Sequence, residues 1–196
     1  MQRRVAWDEG SWFNPPPAVS TDGDGLVVTA ADGSDLWRTT SYGFVHDSGH
    51  GLLHPFADGS AVEVSFLLDF DEQFDQAGVL VREDEAHWLK AGTEISDGEA
   101  YVGAVATNGL SDWSVAPVPA WRGTTVTVRV SWHGDALTVR ARSETSPWRL
   151  VRLAPWTPTK PVAAGPYVAS PSRPGLCVRF GTWTTGPADA SLHSDG

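Results

Sequence analysis

A chain of 196 residues, 41% of them hydrophobic and ten of them tryptophan, carries enough apolar mass for a sizeable core. Its formal net charge of -10 argues against nucleic acid as a partner, because no cluster of lysine and arginine is present to displace counterions from a phosphate backbone. No apolar run reaches the length of a bilayer span, and the residues after Arg3 and Arg4 turn acidic before a secretion-type core develops, so the expectation is a cytoplasmic protein without a membrane partner.

Taken in chain order, residues 7–30 read as an irregular opening, where Pro15 to Pro17 block regular pairing, followed by a strand near 26–30. Asp32, Gly33 and Ser34 mark a turn, DLWRTT follows, and SYGFVHDSGHGLL reads as a loop region. A strong strand comes next over 61–70, whose alternation places Val62, Val64 and Phe66 on one face. Residues 76–82 and 87–94 read as a hairpin joined by Glu83, Asp84 and Glu85. After a reversal at Asp97 and Gly98, AYVGAVAT reads as a strand ending at Asn108 and Gly109. TTVTVRVSWHG and DALTVRAR meet in a hairpin at Gly134, SPWRLVRLA extends the meander, and GLCVRFGTWTT closes it.

Strand-favouring Val, Thr and Trp are spread throughout, Gly and Pro recur at short intervals, and no segment keeps helical spacing for several turns. The fold class is therefore an all-β sandwich in one domain, residues 1–186, with 187–196 as a disordered tail. Cys177 is the one cysteine, so no internal disulfide is expected, and it reads as a small apolar strand residue. His46, His50 and His54 recur at four-residue intervals, but Gly49, Gly51 and Pro55 oppose the helix that would make them zinc ligands. Asp69, Asp71 and Asp75 lack the spacing of a calcium loop and read as solvated acids, so neither metal nor cofactor is expected.

Lys90 is the most informative residue, being one of two lysines and lying inside an apolar, alternating segment. An ammonium in that setting needs anionic or hydrogen-bonding company, so it reads as lining a groove. Alternation sets Trp88, Lys90, Gly92 and Glu94 on one face, with Lys90 and Glu94 roughly 13 Å apart along the strand, too far for a direct pair. Gln76 or Asp112 could satisfy them, or a ligand could. Whether Gln76 faces Lys90 depends on whether the loop after Arg82 is odd or even. Gly78 and Gly92 either make room for a ligand or mark tight packing. SDWS reads as a loop combining the Asp112 carboxylate with the flat Trp113 indole, a set suited to stacking a sugar ring and bonding its hydroxyls. Trp37 and Tyr42 are similar candidates, with core packing as the competing role. Trp132, Trp148 and Trp183 are assigned to core or sheet surface.

DLWRTTSYGF, FDQAGVLVR, HWLKAGTE, SDWS, Arg152 in RLVRLA and GPYVASPSRPGLCVRF occur in that fixed order, and in them the chain resembles the DUF1349 family, YesU-like and regulator-of-enolase-like proteins. The resemblance implies a concanavalin A-like jelly roll of two antiparallel sheets, and sugar binding as inferred for lectin and glucanase relatives. The chain carries NPPP from Asn14 where that family commonly has an Asn-Glu-Pro-like sequence, which removes a carboxylate there. The Glu-x-Asp-x-Glu strand of a glucanase is absent.

Three functions follow. The leading expectation is a lectin-like protein holding a sugar or sugar acid on a concave sheet with Gln76, Lys90, Glu94, Asp112, Trp113, Trp37 and Arg152. The second is a glycan-active hydrolase or lyase with Glu94 or Asp112 as acid or base and Lys90 as electrostatic stabiliser. The third is a regulator that docks on a metabolic enzyme through an aromatic patch.

Overall fold

A strand turns alternate side chains to a single face, so Val62, Val64 and Phe66 belong together wherever that face is covered. The computed structural model, which describes residues 1–193, buries all three at 3% exposure or less. Among those residues the strands in chain order are β1 (Arg3–Arg4), β2 (Ser11–Phe13), β3 (Ala18–Asp22), β4 (Gly25–Thr29), β5 (Leu36–Arg38), β6 (Val45–Asp47), β7 (His50–Phe56), β8 (Ser60–Leu67) and β9 (Gln76–Arg82). They continue as β10 (His87–Ser96), β11 (Glu99–Asn108), β12 (Leu110–Pro117), β13 (Thr125–His133), β14 (Ala136–Ser143), β15 (Arg149–Pro155), β16 (Val162–Ala169) and β17 (Cys177–Pro187).

Two large antiparallel sheets pack face to face. One runs β15-β14-β13-β8-β17-β4-β3 with β1 added on β17, and the other runs β12-β11-β10-β9-β16-β7-β2. Between them lies one continuous apolar cluster, to which the first sheet gives Val64, Val128 and Val178 and the second gives Val79, Leu89 and Val102. Each of these side chains contributes about 1.5–3 kcal/mol by leaving water. The architecture is the two-sheet sandwich expected from the alternation. No helix among the described residues is long and apolar enough to cross a membrane.

Several segments depart from the sequence reading. The irregular opening is shorter than expected: Pro15 to Pro17 are unpaired, but β2 and β3 flank them, both as edge strands. The region read as a loop after Tyr42 holds β6 and β7, and β5 with β6 forms a separate two-stranded hairpin. Cys177 opens β17 but is exposed. Asp75 is fully buried against Arg173 and Ser170, unlike the exposed Asp69 and Asp71, so it is no solvated acid. Within the stretch read as a tail, Asp189 accepts from Arg129 Nε at 2.8 Å and Arg140 donates to the Ser191 carbonyl at 3.2 Å; residues 194–196 lie outside the described residues.

The seven-stranded sheet is covered on its second face too. There the β5–β6 hairpin lies across it and builds a smaller apolar cluster from Leu36, Trp37, Leu80, Trp88, Val105 and Tyr167. The hairpin is tied down by polar contacts at several points. Arg82 of β9 forks onto the Asp47 carboxylate with two bonds of 2.8 Å, and the Asn14 amide donates to the Asp47 and Gly49 carbonyls at 2.7 and 3.1 Å. Ser111 Oγ accepts from the Arg38 N–H at 2.9 Å.

Candidate functional site

The hairpin does not cover the sheet completely, and the gap it leaves is a cleft of about 420 Å³. Register decides what forms its floor. Arg82 pairs with Trp88, which leaves an odd number of residues in the loop, and Glu94 therefore lies directly opposite Gln76, Gly92 opposite Gly78 and Lys90 opposite Leu80. Of the two loop parities open from sequence, this is the one that turns Gln76 to the Lys90 side. Lys90 is 5% exposed and donates to Gln76 Oε1 at 2.8 Å and to Asp35 Oδ1 at 3.0 Å. Gln76 Oε1 also accepts from the Tyr167 hydroxyl, while its amide nitrogen donates to the Phe74 carbonyl at 3.1 Å. The amide is thereby fixed in orientation. Asp35 is itself held by the Leu36 N–H at 2.7 Å, so the floor carries an ion pair bridging β10 and the start of the hairpin.

Glu94 differs from these groups. Its carboxyl takes no hydrogen bond from any described residue, and burial pushes its pKa up to about 7 from 4.5 against the opposing pull of Lys90. Near neutral pH it exists in both protonation states. Burial also pushes the Tyr167 phenol well above its ordinary value, so it stays a neutral donor to Gln76.

Three glycines lie in register across the same face, Gly78 on β9, Gly92 on β10 and Gly103 on β11. A Cβ on Gly78 would stand 2.0 Å from the Ala91 carbonyl oxygen, and one on Gly92 would stand 2.0 Å from that of Ala77, so the close approach of neighbouring backbones admits no side chain. The glycines mark tight packing of strands, and beside Gly92 and Gly103 lies a shallow well of about 20 Å³ between Lys90, Glu94, Trp113 and Tyr167.

The walls are aromatic. Trp37 meets Trp113 edge-on at 6.5 Å and Tyr42 edge-on at 5.6 Å, and Tyr42 stacks on Phe44 at 5.3 Å and 12°. Phe44 in turn meets the His46 ring edge-on at 4.6 Å. The Trp37 indole N–H donates to the Thr40 carbonyl at 3.0 Å, which fixes its plane. Tyr42, Phe44 and Trp113 remain 59%, 41% and 39% exposed, so these rings, two of them stacked on each other, stay partly open to water at the mouth of the cleft.

Of the residues singled out from sequence, Trp37, Tyr42, Gln76, Lys90, Glu94 and Trp113 line this one cleft. Asp112 and Arg152 do not. SDWS is part of strand β12 and not a loop, so Asp112 and Trp113, being neighbours, must point to opposite faces. Trp113 stands opposite Val105 on the cleft side, whereas Asp112 pairs with Arg152 at 2.6 Å across the sandwich edge where β12 and β15 are terminal strands. Asp112 therefore satisfies neither Lys90 nor Glu94. The three histidines also separate: His46 lines the cleft, while His50 is buried, with Nδ1 at 2.7 Å from the Asn14 carbonyl and Nε2 accepting from the Ala31 N–H at 3.0 Å. His54 meets the Trp183 ring edge-on. No group of three His, Cys, Asp or Glu side chains among the described residues is placed to hold a metal. Asp35, Phe44 and Phe74 were missed from sequence as cleft residues. Asp35 had one usable signal, since a lysine among apolar residues requires a carboxylate from somewhere.

Comparison with known proteins agrees with this architecture. The family model described as "Protein of unknown function (DUF1349)" matches residues 12–188. "Regulation of enolase protein 1" of Saccharomyces cerevisiae is 38% identical over 186 residues, 94% of this chain and 93% of that protein. The crystal structure of a functionally unknown protein from Saccharomyces cerevisiae superposes with a TM-score of 0.87 at 36% identity, over 95% of this chain and all of the other. At the level of fold alone, lectin I-B4 from Griffonia simplicifolia superposes with a TM-score of 0.59 at 12% identity, over 91% of this chain and 93% of the lectin.

Proposed function

The chain belongs to the DUF1349 family, and from that premise we propose that it is a lectin-like protein that holds a small sugar in the cleft between the β5–β6 hairpin and the seven-stranded sheet. The observation that carries this reading is the convergence of fixed polar groups on an aromatic enclosure. Lys90, with two of its three N–H donors committed to Gln76 and Asp35, and Glu94, with no hydrogen-bond partner among the described residues, line the same cleft as the rings of Trp37, Tyr42 and Trp113. Alternating donors and acceptors match sugar hydroxyls, and indole and phenol faces match the apolar side of a pyranose. About 420 Å³ falls in the range of ordinary small-molecule sites.

Calorimetric titration with neutral, amino and acidic monosaccharides tests the reading. One-site binding is expected, and Trp113→Ala should weaken it about tenfold without changing the melting temperature, because a half-exposed ring contributes contact area to the ligand more than to the core. Absence of heat with every sugar would overturn it.

A second reading is favoured by the Glu94 carboxyl, whose raised pKa suits it to give and take a proton near neutrality. Release of reducing ends from a glycan panel, abolished in Glu94→Gln, would make the cleft that of an enzyme. The name of the yeast relative favours a third, regulation of a metabolic enzyme by contact, for which co-purification with enolase is the corresponding measurement.

A further inference from the structure

The polar inventory of the cleft is unbalanced, and the imbalance bears on the charge of its occupant. Its one fixed cation, Lys90, is already neutralised by Asp35 at 3.0 Å, so it cannot act as the receptor for a carboxylate that its isolation in the sequence suggested. Glu94 has no such counterpart. When it is ionised, the floor carries two carboxylates against one ammonium, inside a chain of net charge -10. Above this floor stand Trp37, Tyr42, Phe44 and Trp113, whose ring faces attract positive charge. Excess carboxylate oxygen beneath aromatic walls is complementary to an ammonium group and repels an acid.

We propose that the cleft selects a cationic ligand, which on the sugar-binding reading above is an amino sugar, with its ammonium placed against Glu94 and the aromatic walls. The groups that face Glu94 are consistent with this. From its own strand comes Lys90, from the hairpin side Asp35 and His46, from β16 Tyr167, from β9 the neutral Gln76, and from β11 the directly opposed Tyr101. Lys90 is spoken for by Asp35, Tyr167 donates to Gln76, and none of the remaining groups gives Glu94 a hydrogen bond. An incoming ammonium would supply that bond and hold Glu94 in its ionised form, so binding near neutral pH releases a proton and strengthens as pH rises through about 7.

The test compares glucosamine, glucose, glucuronate and cyclohexylamine by calorimetry on the full chain. At about pH 7, where its amine is still mostly protonated, glucosamine should bind about tenfold tighter than glucose, with glucuronate weakest. The preference should shrink to under about threefold at about pH 5 and in Glu94→Gln, and titration of cyclohexylamine in buffers of different ionisation enthalpy should reveal proton release. Because low pH neutralises Glu94 in the unaltered protein, the result does not depend on the variant folding. Glucuronate binding as tightly as glucosamine, or a preference unchanged at low pH, overturns the charge selection. Glucose binding with no preference for the amine does the same while sparing the sugar-binding reading. Cyclohexylamine binding where no sugar binds removes the sugar-binding reading and leaves the selection for ammonium standing. Silence from all four overturns both.

Discussion

The two faces of the seven-stranded sheet come from the same strands and are both largely removed from water, yet they are finished in different ways. On β10 the inward set, Leu89, Ala91 and Ile95, disappears into the sandwich core at 1% exposure or less. The outward set, Trp88, Lys90, Gly92 and Glu94, is roofed only by the hairpin. The inner face is apolar apart from Thr93, whose buried hydroxyl has no hydrogen-bond partner among the described residues, and it carries no charge. The outer face holds charge, and charge without full hydrogen bonding is a place for a partner molecule to complete. Burial alone therefore does not separate core from site, nor does an unpartnered neutral group such as the Thr93 hydroxyl; an uncompensated charge beside a cavity does.

Substitution on the inner face should have the largest effect. Leu89→Ala should lower stability by about 2–5 kcal/mol in denaturant titration, with ligand binding unaffected in the protein that remains folded. On the outer face, Lys90→Met should cost about 2 kcal/mol, less than a fully buried pair would, since Asp35 keeps 16% of its side chain in water. Adding Asp35→Asn should recover part of that loss, and independence of the two substitutions would mean that the ion pair holds nothing together.

Glu94→Gln should have the smallest effect and the opposite sign. The native state holds the Glu94 proton more tightly than the unfolded chain, so its contribution is fully present below about pH 4.5 and is lost as pH rises through about 7. The variant should match the parent at about pH 4 and exceed it at about pH 8, by about 1 kcal/mol and by no more than about 3, the span of the shift. Thermal melts at the two pH values measure this. A variant less stable at both would show that the carboxylate is satisfied and the outer face carries no uncompensated charge.

Much of this contrast was legible in the residues themselves. Alternation separated Lys90 and Glu94 from Leu89 and Ala91, and the order of strand-like segments carried the sandwich. What alternation cannot provide is the partner across space. Asp35 reaches Lys90 from 55 positions upstream because a hairpin folds over the sheet, and nothing local to either residue encodes that fold-back. In a loop, adjacent side chains can converge; SDWS, as an edge strand, separates Asp112 from Trp113 by geometry, and Arg152 goes with Asp112. Of the seven proposed contact residues, Gln76, Lys90, Glu94 and Trp113 share the cleft by strand alternation and Trp37 by the fold-back of the hairpin, while alternation turns Asp112 away from it and Arg152 comes from the other sheet.

The run of Gly78, Gly92 and Gly103 has a consequence for how such a receptor can diversify. Where backbone crowds backbone, substitution is closed off, and the bottom of the cavity cannot be resculpted without parting the strands. The hairpin is restricted at other positions, since Thr39, Ser41 and Gly43 hold left-handed backbone there, but Tyr42 and Phe44 between them project partly into water. New ligand preferences would therefore be written into the lid while the base stays constant, and exchanging Tyr42 and Phe44 is the economical route to redesigning what the cavity accepts.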